Sequence, residues 1–127
     1  MRTFLLLVLT LVPVTESRLK TEEILLMEIM QSVNGILNGK GEKMDLDQFI
    51  PDIYQKGHYS KKTLCQAGMA LKGKIPSKSH LQRQLNAYAA YTGTRNCSVS
   101  ASEECTMKEF LEKTKACCHY LYSAQRT

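Results

Sequence analysis

The stretch Thr106 to Ala124, TMKEFLEKTKACCHYLYSA, decides how the rest of the chain is read. It contains neither Gly nor Pro. Its apolar residues Met107, Phe110, Leu111, Cys117, Cys118 and Leu121 fall on one stripe at 100° per residue, with Thr114 inside the stripe. Lys108, Glu112, Lys115 and His119 fall on the other side. This pattern predicts an amphipathic helix that must bury one face against partners, so the other segments are read for faces that match it.

The same periodicity recurs upstream. Thr21 followed by Glu22 and Glu23 gives an N-cap hydroxyl and acids at the positive end of a helix dipole. Leu26, Ile29, Met30, Val33 and Leu37 form the apolar stripe of that first helix, and Asn38-Gly39 with Gly41 stops it. Glu28 lies about 160° from the stripe, flanked by Ile24 and Gln31 on the outer face. Ser60 is placed to cap a second helix running to about Lys72, with Leu64, Ala67, Gly68 and Leu71 inward. Gly68 is read as a site of close backbone approach. A third helix is expected over Lys78 to Thr92, with Leu81, Leu85, Tyr88 and Ala89 inward and Gly93 closing it. Pro76 forces the break before it.

The connections carry as much information as the helices. The link between helices two and three is brief, which makes them antiparallel neighbours. The links Gly39 to Tyr59 and Gly93 to Cys105 are long for a bundle. Phe49, Ile50, Ile53 and Tyr54 could cover a bundle end, and Met44–Asp47 can pair with Cys97–Ser100 as a minimal two-stranded ladder. Long, short, long connections describe an all-α, short-chain four-helix bundle of up-up-down-down topology.

Arg2 precedes the apolar run Phe4 to Val14, and Thr15 and Ser17 are small residues spaced like those before a signal-peptidase cut. Residues 1–17 are therefore read as a secretory signal peptide and 18–127 as the mature domain, secreted and extracellular. The run is too short to span a bilayer comfortably, which takes about 20 residues. The formal charge of +5 favours contact with acidic surfaces and says nothing about fold.

Five cysteines in a secreted chain leave at least one without an internal partner. If Cys105 and Cys117 both lie on the last helix they are about 18 Å apart, beyond disulfide reach. Cys65 near the start of the second helix and Cys97 just past the third form the preferred bridge. The alternative is Cys65 with Cys118, and Cys117 and Cys118 otherwise pack as buried thiols. Asn96-Cys97-Ser98 fits the N-glycosylation pattern at Asn96.

Cys117-Cys118-His119 lacks the paired spacing of a zinc site. It also differs from the Cys-Cys-x-x-His-Asp stretch of secreted phospholipases, since the His follows directly and no Asp comes next. His58 and His80 stand alone, and no Gly-x-Ser-x-Gly turn or phosphate loop occurs. The expectation is a protein that is not an enzyme and needs no metal or cofactor.

Several stretches resemble the interleukin-4/interleukin-13-type cytokines. Leu26-Met27-Glu28-Ile29-Met30-Gln31-Ser32-Val33-Asn34 is similar to their first-helix segment, and Thr63-Leu64-Cys65-Gln66-Ala67 to their second-helix Thr-Phe-Cys-Arg-Ala. Asn96-Cys97-Ser98-Val99 resembles the stretch after helix three. Thr106-Met107-Lys108-Glu109-Phe110-Leu111-Glu112-Lys113 resembles Thr-Leu-Glu-Asn-Phe-Leu-Glu-Arg, with Tyr122-Ser123 continuing in register.

The resemblance implies a monomeric signalling ligand that bridges two type I cytokine receptor chains and binds no nucleic acid. Glu28 matches the acidic first-helix residue that contacts the high-affinity receptor chain. Its basic third-helix partner aligns at Asn86 or Ala87, with Arg83 one turn away. Tyr122 matches an aromatic used for the second chain, beside Lys115 and His119, the latter standing where the mammalian form has Arg. The resemblance supports Cys65–Cys97. It does not support a bridge between the termini, because Gln125 occupies the last cysteine position. These departures describe a distant, non-mammalian relative.

Two other functions fit the composition. Lys61, Lys62, Lys72, Lys74 and Lys78 cluster near the ends of the second helix, as a basic protein binding anionic membranes or glycosaminoglycans would require. A carrier of small apolar ligands would need a cavity, which the narrow Ala/Gly/Leu faces do not favour.

Overall fold

A computed structural model describes residues 21–55 and 57–125. The proposed signal segment, residues 1–17, lies outside them. The described residues form four helices and one small two-stranded antiparallel sheet. Helix α1 covers 21–37. It is followed by β1 (Phe49–Pro51), α2 (Lys61–Leu71), α3 (His80–Thr92), β2 (Glu104–Thr106) and α4 (Met107–Gln125).

The last helix behaves as its periodicity requires. Met107, Phe110, Leu111, Thr114, Cys117, Cys118 and Leu121 are all buried, and Lys108, Glu112, Lys115 and His119 are exposed. The buried stripe meets Leu26, Ile29, Val33 and Ile36 of α1, Leu64, Ala67 and Leu71 of α2, and Leu81, Leu85 and Tyr88 of α3 in one core. Each fully buried Leu, Ile or Phe contributes roughly 1.5–3 kcal/mol relative to exposure. In α1 the fourth buried contact is Ile36, while Met30 and Leu37 only flank the core.

Local chemistry sets the helix ends. Ser60 caps α2 in a reciprocal box: its hydroxyl accepts from Thr63 N at 3.2 Å, and Thr63 Oγ1 accepts from Ser60 N at 3.1 Å. Helix α3 begins two residues later than its pattern predicts, because Ser79, not a residue before Lys78, accepts from Gln82 N at 3.1 Å. Gly93 ends α3 with φ 71°, a left-handed conformation that glycine adopts without steric cost. Thr21 lies within α1 and does not cap it.

The ladder sits elsewhere than expected. Phe49 pairs with Thr106, Ile50 with Cys105 and Pro51 with Glu104. Met44–Asp47 is not a strand, because Asp45 forms a turn in which its carboxylate accepts from Asp47 N at 3.0 Å. Cys97–Ser100 is likewise irregular. Cys105 therefore belongs to β2 and not to the last helix. Phe49 is 60% exposed, while Ile50 and Tyr54 enter the core and Ile53 packs against it.

The first long connection is fastened to α4. Leu46 O and Gln48 O accept from Lys108 N and Met107 N at 3.1 and 2.8 Å. Thr106 Oγ1 accepts from Glu109 N at 3.2 Å, so three amides at the start of α4 find partners outside the helix. Asp52 Oδ2 accepts from Lys113 Nζ at 3.0 Å, and that bond raises the ammonium above its usual range. Tyr54 Oη meets Thr114 Oγ1 at 2.7 Å inside the core.

Cys65 and Cys97 form a disulfide with Cα atoms 6.3 Å apart. The alternative bridge, Cys65 with Cys118, is absent, and Cys105, Cys117 and Cys118 are buried free thiols. Gly68 proves not to be a point of backbone contact. A Cβ there would meet only side chains, the nearest being Leu85 Cβ at 3.4 Å.

Candidate functional site

Two exposed faces collect the residues singled out in the sequence. On the first, α1 presents Ile24, Met27, Glu28 and Gln31 outward, with Ile24 51% exposed. Leu25 and Glu28 of α1 line a shallow open groove of about 270 Å³ with His80, Arg83, Gln84 and Ala87 of α3. Glu28 has no hydrogen-bond or ion-pair partner among the described residues. Arg83 Nη2 lies 3.3 Å from His80 Nδ1. The groove thus offers an unpaired carboxylate on one wall and a guanidinium held by its neighbour on the other.

Side-chain bonds tie the helices together beneath this groove. Ser32 Oγ donates to Gln84 Oε1 at 2.6 Å, tying α1 to α3. Tyr88 Oη donates to Glu22 Oε1 at 2.9 Å, and Lys61 Nζ lies 3.2 Å from the same oxygen. Glu22 therefore joins α1 to both α3 and α2, a role its position in an acidic first turn did not reveal. Burial and the neighbouring carboxylate push the Tyr88 hydroxyl well above its ordinary pKa.

Of the two alignments for the third-helix position, Ala87 lines this groove and Asn86 does not. Asn86 lies against Gly68 of α2, and its Oδ1 accepts from Gln82 Nε2, one turn earlier on α3, at 3.2 Å. That placement separates Asn86 from Glu28, Ile24 and Gln31, while Arg83 stays with Glu28.

The second face lies on α4. Lys115 and His119 are exposed one turn apart, and Tyr122 follows on the same stripe, half-buried against the core. Beside it runs an aromatic ladder that periodicity alone does not suggest. Tyr59 and Tyr120 have ring centroids 6.0 Å apart, and Tyr54 lies 6.2 Å from Tyr59. Tyr120 is 55% exposed, although it falls off the Lys115–His119 stripe. Its signal in the sequence is a large aromatic on the polar side of an amphipathic helix.

The remaining chemistry is subdued. Asn96 is exposed, next to the disulfide at Cys97. Burial pushes the Cys105 thiol up to about 11 and the Cys117 thiol up to about 12, with Cys118 higher still. Such thiols are poor nucleophiles and poor metal ligands at neutral pH. Among the described residues no group of three or more His, Cys, Asp or Glu is placed to hold a metal ion. No described helix is long and apolar enough to cross a membrane.

Comparisons with protein-family models, with curated proteins and with solved structures find no match.

Proposed function

We propose that this chain is a secreted, monomeric four-helix cytokine that binds and bridges type I receptor chains in the manner of interleukin-4 and interleukin-13. The observation that carries the reading is the shared groove of Glu28 and Arg83, an acid on α1 facing a base on α3 with exposed apolar Ile24 and Met27 alongside. Interface hot spots are enriched in Arg and are ringed by contacts that exclude water, a setting that Ile24 and Met27 would help to provide around Glu28 and Arg83. Lys115, His119 and Tyr122 on α4 form the second receptor face, so one ligand meets two chains. No covalent step and no cofactor enters this reading.

The contacts between helices support an up-up-down-down topology. Lys61 at the start of α2 meets Glu22 early in α1, as parallel neighbours would. Cys65 near the start of α2 bonds Cys97 beyond the end of α3, and Cys117 late in α4 donates to Ser60 O at the start of α2. Both contacts suit antiparallel pairs.

The test is binding to candidate type I receptor ectodomains on a sensor surface. Glu28→Lys is expected to cost about 2 kcal/mol of affinity, roughly 30-fold, with an unchanged helical spectrum. Equal affinity of the variant for every ectodomain that binds the native chain would remove the assignment.

A further inference from the structure

The five lysines near the ends of α2 look alike in the sequence, and the structure distinguishes three of them. Lys61 is taken up by Glu22. Lys74 lines a groove that also contains Glu42 and Asp45. Lys72 instead lines two adjoining grooves on the outer side of α2 and α3. The first, of about 270 Å³, is walled by Cys65, Met69, Leu85, Asn86, Ala89 and Arg95. The second, of about 360 Å³, adds Gly73, Ile75, Ser77 and Gln82. Lys72 and Asn86 belong to both.

No carboxylate lines either groove. Neither Lys72 nor Arg95 has a side-chain partner among the described residues. Arg95 lies at the Cys65 end and Lys72 seven residues further along α2, roughly 10 Å at 1.5 Å per residue. Between them the lining is polar as well as apolar. Gln82 is 98% buried, and its Nε2 donates to Gly68 O at 3.0 Å and to Asn86 Oδ1 at 3.2 Å. Those two bonds fix the amide orientation, which leaves Gln82 Oε1 as a buried acceptor with no partner.

We propose that this α2–α3 face is a binding track for a sulfated glycosaminoglycan chain. Two unpaired cations spaced along a carboxylate-free channel suit successive sulfate groups on one polymer. The exposed Ser77 hydroxyl and Asn86 amide supply partners for sugar hydroxyls, which a purely charged patch would lack. The channel is a different face from the Glu28–Arg83 groove, so it serves retention near the cell surface and does not depend on the receptor reading.

The test is heparin affinity of the mature protein at physiological ionic strength. Lys72→Glu with Arg95→Glu is expected to weaken binding by about tenfold or more, two contacts of somewhat under 1 kcal/mol each. Lys40→Glu with Lys108→Glu changes the net charge equally but touches neither groove, and is expected to bind nearly as the native chain does. Both pairs are exposed, and circular dichroism checks that each variant folds. Equal weakening by the two pairs would overturn the proposal in favour of diffuse charge attraction, as would absence of heparin binding by the native protein. Retention on chemically desulfated heparin equal to that on heparin would overturn it too. Binding of phosphatidylserine vesicles with the same dependence on Lys72 and Arg95, and no heparin preference, would assign the face to membranes instead.

Discussion

Thr114 should be harder to replace than its hydrogen-bond partner. Its Oγ1 donates its single proton to Phe110 O at 2.9 Å, so the 2.7 Å contact with Tyr54 must be donated by the tyrosine. Both side chains are buried, Thr114 completely. Thr114→Val keeps the shape but leaves the Tyr54 hydroxyl as a buried donor with nothing to meet, at about 2 kcal/mol. Tyr54→Phe keeps the ring against Phe110, whose centroid is 5.5 Å away, and leaves Thr114 still donating, at about 1 kcal/mol. With both hydroxyls gone no orphan remains, so the double variant should cost less than the sum of the singles by 1 kcal/mol or more. Urea unfolding followed by far-ultraviolet circular dichroism measures all four proteins, with equal m-values required for the comparison. Additive costs, or a valine variant no weaker than the phenylalanine one, would refute the assigned direction of the bond.

Three further outcomes are expected. Removing the disulfide by Cys65→Ala with Cys97→Ala opens a loop of sequence separation 32 and should cost roughly 3–4 kcal/mol, read from urea midpoints. Above pH 9 the unfolded chain loses thiol protons that the folded chain retains, so stability is complete below pH 9. It should then fall as pH rises towards about 11 for Cys105 and about 12 for Cys117, and the native thiols should resist iodoacetamide at pH 8 until denaturant is added. Gly68→Ala should raise stability by up to about 1 kcal/mol, because the added methyl meets only ordinary contacts and the helix gains a better former. A loss on thermal melting would show that the Leu85 contact cannot give.

The helices were legible because each carries a long amphipathic repeat, and because Ser60 before α2 and Gly93 after α3 are caps with clear sequence signals. All seven inward positions assigned to α4 are buried, and the predicted Cys65–Cys97 bridge is present. The strands were misplaced for a physical reason. Alternation at Met44–Asp47 also suits a carboxylate-capped turn, and nothing local distinguishes the two. The true ladder contains Pro51, which lowers strand propensity, and it forms because residues far apart in sequence meet. The candidate face was legible through Glu28 on the outer side of α1. That it shares a groove with Arg83 and Ala87 and not with Asn86 depends on the rotation of α3 against α1, which no local sequence signal sets. The Asp52–Lys113 pair was invisible, since it joins a loop to a helix 61 positions away in the sequence.

The two long connections hold each other: Phe49–Pro51 zips to Glu104–Thr106, and Asp52 N donates to Glu103 O at 2.9 Å. Lengthening either one would have to preserve a register set by the other. The link from Lys72 to Ser79 bears no such mutual obligation. Evolutionary insertions, reporter tags or grafted peptides should therefore be accommodated at the α2–α3 turn and rejected within the paired straps.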